Sequence, residues 1–125
     1  MNEFVAVLLH VLVTNDPACG IAQRTISQAA LAAAQETGLR VEQGDDGNAG
    51  LPELQIHVVA LLTQPGCYIQ VTTTLSNRIA VLWQASNTMI ADIVLVASPE
   101  NEDATRRVIL AHLQGIAAAR RARAN

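Results

Sequence analysis

The chain has 125 residues, of which 50% are hydrophobic and 15% are charged. That length holds one domain of ordinary size, and its wealth of valine, leucine and isoleucine excludes a disordered tail or a low-complexity linker. A net charge of −3 excludes the basic stripe that nucleic-acid binding needs, and no apolar run approaches the ~20 residues that span a bilayer.

Residues 4–13 are apolar except for His10. A signal peptide needs a cationic start, and Glu3 is the only charge ahead of this run. The run is therefore read as a buried strand over 3–13, and an exported chain would carry its leader ahead of Met1. Asp16-Pro17-Ala18-Cys19-Gly20 has aspartate and proline in place of the usual apolar and small residues ahead of a lipoprotein cysteine. Instead, Asp16 is a good N-cap and Pro17 a good first helical residue, so a helix is predicted from there to Thr37. Gly38 supplies its left-handed C-cap. Ile21, Ile26, Ala29, Ala30, Ala33 and Thr37 form the inward face of this helix.

Residues 39–42 extend briefly, and 43–52 read as a flexible loop rich in glycine and aspartate. Its acidic pairs do not match the spacing of a calcium loop. Three strands follow, over 54–63, 67–75 and 78–86, joined by turns at Pro65-Gly66 and Ser76-Asn77. Such short links force antiparallel neighbours. In the second of them, Tyr68, Gln70, Thr72 and Thr74 alternate with Cys67, Ile69, Val71, Thr73 and Leu75, giving one wet face and one covered face. A turn at Asn87-Thr88 then leads to a shorter edge strand over 90–97. Ser98 caps a last helix running from Pro99 to about Arg121. Acidic residues open it and arginines close it, which suits the macrodipole. Val108, Ile109, His112, Leu113, Ile116 and Ala117 line its inner side.

The expected order is β-α-β-β-β-(β)-α, within a single α+β domain over 1–125. It has two layers, a mainly antiparallel sheet of four or five strands and two helices packed on one of its faces.

Cys19 and Cys67 are the only cysteines. Each lies beside the end of a predicted element, where a disulfide is geometrically easy. The other reading is two reduced cysteines serving as small hydrophobes. A bond would place the chain in an oxidising compartment, periplasm or exterior, and its absence in the cytoplasm.

No catalytic, cofactor or metal constellation stands out. None of the serines lies in a nucleophile elbow, and no phosphate-binding glycine loop is present. His10, His57 and His112 fall on separate elements with no ligand spacing. The Thr72-Thr73-Thr74 run is the kind of polar strand that can pair with a partner, although an ordinary wet strand accounts for it.

The apolar first strand, the Asp16-Pro17 helix start, Gly38-Leu39 after the helix, the meander and the closing helix together resemble small bacterial envelope domains. Among these are the N-terminal domain of the Tol-system propeller protein and the curli-secretion-type lipoproteins. The likeness is one of element order and carries over no functional residue. It implies a periplasmic interaction or assembly module. The expected function is thus a non-enzymatic envelope module that meets a protein partner, or a second copy, through a sheet edge and needs no cofactor. The alternative is a small cytoplasmic ligand-binding protein or enzyme with a pocket between helix and sheet, offering His10, His57 and Tyr68.

Overall fold

In a computed structural model, which describes residues 6–42, 51–63, 66–92 and 99–124, the chain is an α+β sandwich of one sheet and two helices. The elements are β1 (Ala6–Asn15), a single 3-10 turn (Pro17–Cys19), α1 (Gln23–Glu36), β2 (Arg40–Glu42), β3 (Glu53–Leu62), β4 (Gly66–Ser76), β5 (Val81–Asp92) and α2 (Pro99–Ala124). The strands lie in the order β2-β1-β3-β4-β5. β1 runs parallel to both β2 and β3, while the longer β3–β4 and β4–β5 ladders are antiparallel.

Alternation decides which side chains meet the helices. Val7 on β1, Leu54, Ile56, Val58 and Ala60 on β3, and Ile69, Val71 and Leu75 on β4 are buried. They pack against Ile26, Ala30, Ala33 and Ala34 of α1 and Ile109, Leu113 and Ile116 of α2. The small residues of α1 bring its backbone close to the sheet. At Gly115 of α2 a Cβ would stand 2.8 Å from the Trp83 ring, so only glycine lets the helix settle over that indole.

Three boundaries differ from the sequence reading. Asp16 does cap, accepting from Ala18 N–H, but it caps the 3-10 turn. Gly20 ends that turn with φ 72°, and α1 starts only at Gln23. Helix propensity alone favoured running through; the left-handed glycine breaks the path and leaves Cys19 buried. Residues 78–80 form a turn held by Asn77, whose Oδ1 accepts from Ile79 and Ala80 N–H, so β5 begins at Val81. Asn87 and Thr88 are not a turn: both sit in the middle of β5, paired with Val71 and Gln70. Thr88 suits the wet outer side of the strand, and Asn87, on the helix side, meets His112. The rest of the expected strand over 90–97, the Ser98 cap and residues 43–50 lie outside the described residues.

Gly38, at φ 87°, ends α1 as expected: its N–H bonds Gln35 O, and Leu39 N–H bonds Ala34 O. The brief extension after it is β2, three residues paired with the start of β1.

Candidate functional site

Cys19 and Cys67 are joined by a disulfide with Cα atoms 5.8 Å apart, and both residues are fully buried. The bond ties the β1–α1 connection to the start of β4. The first turns of α2 hold the same connection. Asn101 donates from Nδ2 to Cys19 O at 2.8 Å, and Ala22 N–H donates to Glu102 Oε2 at 2.9 Å. Ala22 is the N-cap of α1 and offers no side-chain cap of its own. A carboxylate from the other helix thus supplies negative charge at that positive helix end.

His10, His57 and Tyr68 all lie on the face of the sheet away from the helices. The parity of β1, β3 and β4 dictates this, because their neighbours Val11, Ile56, Val58 and Ile69 point inward. A pocket between helix and sheet therefore does not contain them. Leu12 pairs with His57 and His10 with Gln55, so the two imidazoles are diagonal neighbours. They border an open groove of about 370 Å³ that Glu53 and Gln55 also line. His57 Nε2 lies 3.4 Å from Thr14 Oγ1. Tyr68 is paired with Leu61, four residues along β3 from His57, or about 13 Å away along the strand. The three do not converge. Among the described residues, no group of three or more His, Cys, Asp or Glu side chains could hold a metal ion.

On the opposite face, His112 of α2 is 5% exposed. Its Nδ1 is 2.8 Å from the buried Thr73 hydroxyl, and its Nε2 is 2.5 Å from Asn87 Oδ1. In the neutral ring Nε2–H donates to Asn87 and the Thr73 hydroxyl donates to Nδ1, so each polar atom is satisfied. Burial pushes the His112 imidazole below its ordinary value of 6.5. Trp83 meets it edge-on, with ring centroids 6.0 Å apart. Thr73 is thus a core residue, and only Thr72 and Thr74 of that run belong to the open face.

The two sheet edges are unlike. Among the described residues β5 is a terminal strand, and Val81 and Ile90 near its ends are 57% and 62% exposed. From 81 to 90 it carries no charge, proline or glycine. At the other edge β2 covers only Ala6, Val7 and Leu8 of β1. Beyond it Gln23 takes over: its Oε1 accepts from Val13 N–H at 2.9 Å, and its Nε2 donates to Val11 O at 2.8 Å. One side-chain amide here does what a neighbouring strand would do. A lone glutamine at a helix start gives no hint of this in sequence. The His112–Thr73 bond was half legible, since parity and helical spacing place both residues on covered faces.

No family model matches the chain, and no curated protein does. Solved structures share its fold. A point variant of the PelC dodecamer from Paraburkholderia phytofirmans superposes with a TM-score of 0.60 at 16% identity, over 90% of this chain and 87% of that one. The lipoprotein GNA1162 from Neisseria meningitidis gives 0.53 at 13% identity, over 84% of this chain and 95% of its own. An uncharacterised protein gives 0.52 at 12% identity, over 94% and 99%. The architecture is thus that of known small proteins, a lipoprotein among them, in line with the resemblance in element order. Among the described residues, no helix is long and apolar enough to cross a membrane.

Proposed function

We propose that this chain is an exported, disulfide-stabilised module of the bacterial envelope that binds protein through the outer edge of its sheet rather than carrying out catalysis. The observation that carries this reading is β5. Sheet edges normally bear lysine, proline, inward charges or a covering segment that deters pairing. Here a long terminal strand is neutral from 81 to 90, with the only irregularity of its ladder at the Leu75/Ser76 end. Such an edge offers backbone donors and acceptors to an incoming strand, the basis of β-augmentation.

Two further observations support the reading. The buried Cys19–Cys67 bond belongs to an oxidising compartment. The similarly folded PelC is a dodecamer and GNA1162 a lipoprotein, so this architecture serves elsewhere in an assembly and in a lipid-anchored protein.

The test is to export the chain to a periplasm with a photo-crosslinking side chain at Thr88, and in a parallel sample at Arg24 on the exposed side of α1. Protein adducts at Thr88 and not at Arg24, with no alkylatable thiol in the native chain, are expected. Equal labelling at both positions, or two free thiols, would sink the reading.

A further inference from the structure

Resting on that reading of the edge, we infer that the partner is a second copy of this chain, joined β5 to β5 about a two-fold axis at Ser86, with Gln23 stopping growth at the opposite edge. An antiparallel pair keeps the faces of two sheets in phase only if the axis passes through a residue, because side chains alternate with period two. In β5, Trp83, Ala85, Asn87 and Met89 share the face of Leu75, Thr73, Val71 and Ile69, which is the helix side. Gln84, Ser86, Thr88 and Ile90 share the open face.

With Ser86 on the axis, Gln84 of one copy lies opposite Thr88 of the other, Ala85 opposite Asn87 and Trp83 opposite Met89. Polar residues then meet polar ones on the open face. The half-buried Trp83 and Met89 meet on the helix side, a sulfur–aromatic pairing. Moving the axis to Ala85 sets Trp83 against Asn87, and moving it to Asn87 sets Ile90 against Gln84. Residues 81–90 carry no charge, so registers centred near Ser86 bring no like charges together, and apolar matching selects among them.

The other edge explains why such pairing ends at two copies. An uncovered β1 would accept a further strand and give an open, growing sheet. The Gln23 amide occupies Val13 N–H and Val11 O, and β2 occupies the edge before them. The two-fold leaves a continuous sheet across both copies, with all helices on one side and the middle of each outer β1 edge occupied by Gln23.

Sedimentation equilibrium of the oxidised full chain tests this. The native chain is expected to be a dimer. Ser86→Lys and Ser86→Glu, both on the exposed face, should each weaken it about tenfold or more through like charges placed side by side, while melting temperatures taken at dilutions where every form is monomeric change only by the small cost of losing the exposed Thr72–Ser86 hydroxyl contact. Mixing the two variants should restore dimers, because only opposite charges then meet at the axis. Gln23→Ala should add species larger than a dimer. A monomeric native chain at ~1 mM, or a dimer indifferent to both Ser86 variants, would overturn the inference; Thr88 adducts to another protein would leave the broader reading standing. A dimer that stays a dimer in Gln23→Ala would overturn the role given to the plug.

Discussion

His112 shows how one buried side chain couples the helix layer to the sheet. Both ring nitrogens are engaged, one by Thr73 and one by Asn87, and the imidazole is held neutral by burial. In the unfolded chain it titrates near its ordinary value of 6.5, and in the fold only at lower pH. The unfolded chain therefore binds more protons in that window, so stability is complete above about pH 6.5 and falls as acid is added. Denaturant titrations at about pH 7.5 and 5.5 check this. His112→Phe should flatten the dependence while costing about 1–3 kcal/mol at the higher pH, because the Thr73 hydroxyl is left buried without a partner. At Gly115 two effects compete. Alanine raises helix propensity by about 1 kcal/mol, but its Cβ would stand 2.8 Å from a rigid indole carbon, and such overpacking costs about 1–3 kcal/mol. The clash wins: Gly115→Ala should lower the melting temperature and shift the emission of Trp83, the only tryptophan.

At the scale of elements, the start of α1 is where sequence and structure part. Asp16 and Pro17 carry a sound helix-start signal, and they do start a helical turn. What they do not reveal is that Gly20 adopts φ 72° and resets the chain, since glycine in a first turn is compatible with either outcome. The second start, at Ala22, has no local signal because its charge complement comes from Glu102, far along the chain. Ala22 is exposed, with the extended backbone of an N-cap (φ −94°, ψ 136°). Ala22→Ser should therefore add a missing cap and stabilise by about 0.5–1 kcal/mol, read as a higher denaturation midpoint with unchanged slope. In β5 the polar Asn87-Thr88 pair reads locally as a turn. Only the β4 ladder and the His112 contact to Asn87 explain why the strand continues.

For the molecule as a whole, the layer order, the helix faces and the wet and covered sides of β4 were legible, because hydrophobic period records burial directly. The pairing of β1 with β3 was not, since strand adjacency across a helix leaves no local mark; nor were the distal clasps made by Gln23 and Asn101. The disulfide is the strongest single constraint on the unfolded chain. Closing a separation of 48 residues stabilises by about 3–4 kcal/mol. Cys19→Ser with Cys67→Ser should lose about that much, measured by chemical denaturation of the oxidised and doubly substituted proteins. Because both sulfurs are fully buried, the native bond should also resist mild reductant until denaturant is added.

The clasp made by Asn101 and Glu102 also orders events in time. The carbonyl of Cys19 and the amide of Ala22 acquire these partners only from residues some 80 positions later. A polypeptide emerging amino end first therefore completes this clasp last, after Cys67 and every strand of the sheet have already emerged.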